Sequence, residues 1–163
     1  MKDSRFIRRG GAWVAAQFIF IPLMVLAILA LRAMGIERGI APPAGAVLRG
    51  LGALIGAGGV VLLMKSVADL GRNLTAFPAP LEDASLVQTG AYAWARHPIY
   101  AAIILLMLAC ALFFTSLFGM ACAALVFIFF DRKSAREEIF LREKYAAYAE
   151  YARQVKKLIP FVY

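Results

Sequence analysis

Two short clusters hold most of the residues able to do chemistry. Arg96-His97-Pro98 is followed by Tyr100, and Leu86-Val87, Gly90 and Tyr92 precede it. Glu137-Glu138 comes later, after Arg132, Lys133 and Arg136. Pro98 suits the first turn of a helix, because its missing N–H is not needed there. His97 then stands at the helix mouth, with Tyr100 about one turn further on. The free N–H groups of a helix start favour a carboxylate or another anionic group, and Arg96 and His97 add donors. The two glutamates could accept hydrogen bonds from the hydroxyls or an amine of a ligand. Each residue also has a structural reading. Acids near the start of a tail helix suit its dipole, His97 can be an interfacial residue, and a tyrosine series at helical spacing can be an interface belt. Gly90 permits a turn or a close backbone approach.

The elements that must position these residues are apolar. The chain has 163 residues, 63% of them apolar, and a mean hydropathy of +0.75. That composition excludes disorder and argues against a water-soluble fold, since a chain this short cannot hide so much apolar surface. A nucleic-acid binder would explain the net charge of +8 but not the apolar excess. Cys110 and Cys122 lie in apolar runs and read as small hydrophobes. With no close-spaced cysteine pair and one histidine, no zinc site is expected and no metal is assigned.

An all-α, four-span membrane protein is therefore expected, as one domain over residues 1–163. The spans fall at about 13–31, 47–70, 99–114 and 117–130. Roughly 20 residues cross the hydrocarbon core as a helix. The last two runs are short and parted by Thr115 and Ser116, which reads as a tight hairpin rather than one long helix. Pro22 predicts a kink or local packing in the first run. Gly52 and Gly56 make a small face that would let another helix approach closely. Lys65 and Asp69 are four apart and can pair.

Basic residues set the orientation. Lys2, Arg5, Arg8, Arg9, Arg72 and Arg96 fall on one side with the eight from Arg132 to Lys157, against Arg32, Arg38 and Arg49 on the other. The termini, the loop 71–98 and the tail 131–160 are thus expected to be cytoplasmic. Leu141, Tyr145, Tyr148 and Ala152 recur at helical spacing, so the tail reads as an amphipathic helix ended by Pro160.

The string Leu86-Val87-x-x-Gly90-x-Tyr92-x-x-x-Arg96-His97-Pro98-x-Tyr100, an apolar hairpin, Glu137-Glu138, Tyr145-x-x-Tyr148 and a final Ile159-Pro160 resembles the integral-membrane isoprenylcysteine carboxyl methyltransferases and the related phospholipid N-methyltransferases. The resemblance covers roughly Gly71 to Pro160. It implies S-adenosylmethionine as cofactor, held by Leu86 and Val87 through their backbone at the adenine end, by Tyr92, His97, Pro98 and Tyr100, and by Glu137 with Glu138. It implies a lipophilic substrate from the bilayer whose carboxyl group is methylated, with Arg96, Lys133 and Arg153 as candidate catalytic groups. Lys133 stands where the carboxyl branch places an arginine, and Ala102 where a glycine is frequent.

A carboxylate acceptor is already ionised and needs orientation; an amine acceptor must first lose a proton. Three other classes compete with carboxyl methylation: phospholipid N-methylation, a nicotinamide-dependent membrane reductase, and a non-catalytic module assembled through the Gly52/Gly56 face. No Gly-x-Gly-x-x-Gly turn supports the reductase. A transporter would want polar residues at mid-membrane depth, and the runs have almost none.

Overall fold

A computed structural model describes residues 10–37, 39–160 and 162–163. Lys2, Arg5, Arg8, Arg9 and Arg38 lie outside them. Among the described residues five α-helices follow one another: α1 (Gly11–Ala33), α2 (Ala44–Leu70), α3 (Pro98–Phe113), α4 (Leu117–Lys144) and α5 (Tyr148–Gln154). Apart from one isolated parallel bridge between Ala95 and Lys156, no strand occurs among the described residues.

α1 and α2 are each long and apolar enough to cross a membrane. They are not the hidden core helices of a soluble protein, because only 6% and 11% of their apolar windows are buried. Phe18, Ile19, Leu23 and Leu26 on α1 and Leu54, Val61 and Met64 on α2 face outward, an apolar surface that lipid would cover. Pro22 lies inside α1 without ending it. α3 has 16 residues, is apolar throughout and starts at Pro98, as the first-turn reading expects. The hairpin is present: Phe114, Thr115 and Ser116 turn the chain, and Ser116 caps α4 by accepting from Gly119 N–H at 2.7 Å.

Two expectations for the tail need correction. α4 does not stop with the apolar run at Phe130 but continues to Lys144. The stretch 131–144 has no Gly or Pro and is rich in Arg, Lys and Glu, so nothing in it ends a helix. Glu137 and Glu138 therefore sit deep inside a helix, and a helix-start dipole does not explain them. The tail is also not one helix. Tyr145 is extended, α5 is a separate helix of 7 residues, and Gln154 ends it well before Pro160.

Packing is closest between α2 and α3. A Cβ on Gly52 would come within 2.6 Å of Phe113 N and 2.9 Å of Ala109 O. Gly56 and Gly59 face Ala109 and Leu106 of the same helix. The small-residue face is thus covered by α3 of the same chain, which removes the basis for a module that assembles through it. Ile28, Met107, Cys122, Val126 and Phe130 form the core where α1, α3 and α4 meet.

The loop between α2 and α3 is tied at both ends. Asp69 pairs with Lys65 at 3.2 Å and accepts from Ala91 N–H at 2.7 Å. A Cβ on Gly90, where φ is +63°, would lie 2.2 Å from that carboxylate, so turn and close approach both require glycine. Lys144 donates to Glu82 O at 2.7 Å and Tyr145 to Ala84 O at 2.6 Å, strapping the loop to the end of α4.

Candidate active site

The start of α3 is the joint of the site. After α5 the chain returns beside it: Arg96 N–H donates to Lys156 O at 2.8 Å and His97 N–H to Lys157 O at 3.0 Å. The Arg96 guanidinium donates to Glu138 Oε1 at 2.9 Å, to Ala152 O at 3.0 Å and to Val155 O. His97 Nε2 lies 3.4 Å from the same Glu138 oxygen, and Arg142 reaches the other oxygen at 3.3 Å. Glu138 is buried. Burial alone would raise its pKa, but the His97 hydrogen bond and the Arg96 and His97 charges outweigh it and hold the carboxyl at about 2. Glu138 is thus a fixed anion that locks Arg96 and His97 to α4.

Glu137, one residue earlier, faces the other way in chemical terms. It accepts from the Tyr100 hydroxyl at 2.6 Å and lies 3.9 Å from His97 Nδ1. Tyr100 stacks between His97 and Phe130, with ring centroids 5.5 and 4.7 Å away.

Three cavities with shared lining residues lie at or beside this group. The main one, about 350 Å³, is lined by Tyr92, Arg96, His97, Tyr100, Lys133 and Glu137 together with Gln17, Phe18 and the loop residues Leu74 to Ala76. A smaller one under the loop holds Leu86, Val87, Leu141, Tyr145, Tyr148 and Tyr151, and shares Thr75, Tyr92, Arg96 and Glu137 with the first. A third, apolar and about 250 Å³, runs between α1 and α4 along Ile21, Met24, Leu125, Val126 and Phe129, and shares Gln17 with the main cavity.

Lys133 is fully buried and has no ion-pair contact among the described residues. Its Nζ donates to Gln17 Oε1 and, at 3.0 Å, to Ala76 O, and sits 5.1 Å from the centre of the Tyr100 ring. Burial pushes its pKa down to about 8, against the upward pull of Glu137. Tyr148 is also buried, and its hydroxyl has no hydrogen-bond partner among the described residues. Burial raises the Tyr92 phenol well above its ordinary value, helped by the nearby Glu137, so it stays a neutral donor.

Of the residues singled out in the sequence, Tyr92, Arg96, His97, Tyr100, Lys133 and Glu137 meet at the main cavity, and Leu86 and Val87 at the smaller one. Pro98 is buried as the first residue of α3 and Glu138 stands behind His97; neither lines any of these three cavities. Arg153 is not brought to the site: it is largely exposed and pairs with Glu150 on α5. Sequence reasoning missed Gln17 and the Tyr148 hydroxyl. Gln17 carried a signal, as the one polar side chain between Trp13 and Leu31.

A family model described as phospholipid methyltransferase matches residues 47–148. The chain belongs to the phospholipid methyltransferase family. No curated protein matches it. Membership makes the chain a methyltransferase directed at a lipid-type substrate, a membrane-protein class that agrees with α1 and α2, and it implies S-adenosylmethionine as the methyl donor. The match takes in most of α2, the loop, α3 and all of α4. It leaves out α1, which brings Gln17 to the cavity.

Proposed function

We propose that this phospholipid methyltransferase family member is a single four-span membrane domain that methylates the carboxyl group of a lipophilic substrate. α1, α2, α3 and the first half of α4 cross the bilayer. The site lies on the side that carries most of the basic residues, which is cytoplasmic by charge.

The lining of the smaller cavity, about 70 Å³, suits the base of a nucleoside, with the rest of the cofactor extending into the main cavity. Leu86, Val87 and Leu141 offer apolar faces, and the orphaned Tyr148 hydroxyl offers one buried polar contact. These residues would hold the base of S-adenosylmethionine, while Tyr92, His97 and Glu137 would take its polar groups. When bound, the cofactor supplies a sulfonium methyl, whose S–C bond breaks as a carboxylate oxygen forms the new C–O bond. The protein's own task is placement and exclusion of water. Arg96 and Glu138 hold His97 still. Tyr100 closes the wall above Glu137.

The observation that carries the carboxyl assignment is Lys133, a buried ammonium that faces the main cavity without a counter-ion. An uncompensated buried cation is costly, and a substrate carboxylate would supply its missing partner. An ionised carboxylate needs no base, which fits a site whose nearest cation is held by neutral acceptors. The second reading, amine methylation, draws on Glu137, a carboxylate lining the same cavity and able to attract or deprotonate an ammonium. Transfer of tritium from labelled S-adenosylmethionine into a lipid extract, followed by alkali, separates the two. Alkali-labile label is expected; alkali-stable label overturns the carboxyl reading in favour of nitrogen.

A further inference from the structure

We infer that Gln17 is a substrate-binding residue, and that its carboxamide and the Lys133 ammonium together form a two-donor clamp for the substrate carboxylate. The inference rests on the carboxyl reading above and adds to it a residue from α1, outside the matched segment.

The orientation of the amide follows from its partner. An ammonium can only donate, so the Gln17 atom facing Lys133 Nζ must be the carbonyl oxygen. The amide nitrogen is thereby turned away from Lys133 with two N–H donors, and no described residue accepts from it. Lys133 has spent one donor on Gln17 and one on Ala76 O. One N–H remains, in a cavity that Phe18, Tyr100 and Ile103 line together with the Glu137 carboxylate, which makes no ion-pair contact with Lys133. A carboxylate has two oxygens and takes two donors readily.

The position is also right for an amphiphile. Among the described residues, Gln17 alone lines both the main cavity and the apolar one between α1 and α4. It comes six residues into α1, about 9 Å from the helix start, close to where a bilayer changes from polar to apolar. An apolar tail lying against Met24, Val126 and Phe129 would present its acid to Gln17 and Lys133.

The test uses the full chain in lipid nanodiscs with labelled S-adenosylmethionine. The two acceptors are an acid, N-acetyl-S-farnesylcysteine, and a chain-matched amine, S-farnesylcysteamine. Gln17→Glu keeps an oxygen acceptor for Lys133 but replaces both N–H donors by a negative charge. Gln17→Leu removes acceptor and donors together. Both variants are expected to raise KM for the acid at least about tenfold, the loss typical of a hydrogen bond to a charged group. Calorimetric affinity for S-adenosylmethionine should stay within about twofold and reports that each variant is folded. If Gln17 served only to steady Lys133, Gln17→Leu would add nothing to the acid KM of Lys133→Met, and that result overturns the clamp. Wild type that labels the amine and not the acid overturns the carboxyl reading, and the clamp with it.

Discussion

At the residue scale, three side chains that read alike in the sequence as polar or charged have different work. Glu138 is tied to Arg96, His97 and Arg142, Glu137 opens on the cavity, and Arg153 stands in solvent. Removing one partner of a buried ion cluster leaves the others uncompensated. Glu138→Gln should therefore destabilise the protein by about 3 kcal/mol and weaken cofactor affinity, both readable by thermal unfolding with and without S-adenosylmethionine. Arg153→Ala should change stability by less than about 0.5 kcal/mol, because exposed pairs contribute little, and should leave transfer unchanged. The folded Glu138 pKa lies below its ordinary 4.5, so its contribution is full above that value and is lost as pH falls toward about 2. At Lys133 folding favours the neutral form instead of the charged one, with the same sign of pH dependence. The folded pKa of about 8 lies below 10.5, so the protein gains stability as pH rises between those values while the ammonium loses its charge. KM for a carboxylate acceptor should climb as pH passes through about 8, and Lys133→Arg, which stays charged, should flatten that profile if the longer fork fits. Types and spacing made Arg96, His97, Tyr100 and Glu137 legible, through the family pattern as much as through their chemistry. The Tyr148 hydroxyl was not legible, since only a packed structure shows that a phenol lacks a partner.

At the scale of elements, the apolar runs located the helices well and their ends poorly. Hydropathy falls after Phe130, but the backbone does not change there. Helix propensity stays high to Lys144, and α4 carries on. Conversely, the helical spacing of Tyr145 and Tyr148 concealed a break between them. The glycines of α2 make a sharp comparison. Gly52→Ala would drive a Cβ into the Phe113 backbone and should sharply reduce the yield of folded protein in detergent. Gly58→Ala meets nothing within 4 Å and should be neutral or stabilising by about 0.5–1 kcal/mol through helix propensity. Gly90→Ala would strain a left-handed φ and press on Asp69, so its signature should be weaker cofactor affinity with the helices intact. Circular dichroism together with calorimetry separates those two effects.

At the scale of the whole molecule, composition announced a membrane protein, and four apolar runs could be counted without any structure. Which helix lies against which could not be counted, because nearly continuous apolar runs have no marked inner face. The pairing of α2 with α3 and the meeting of α1 with α4 are results of shape, from glycines on one side and from Ile28, Val126 and Phe130 on the other. The unbroken course of α4 has a further consequence. Val126, Phe129, Lys133 and Glu137 follow one another at three- and four-residue steps, so they form a single stripe on a stiff rod. From Val126 to Lys133 the rod advances about 10 Å, and from Lys133 to Glu137 about 6 Å. α4 is in that sense a ruler: an amphiphile laid along it would be gauged at its greasy end and read at its ionic end by the same piece of backbone.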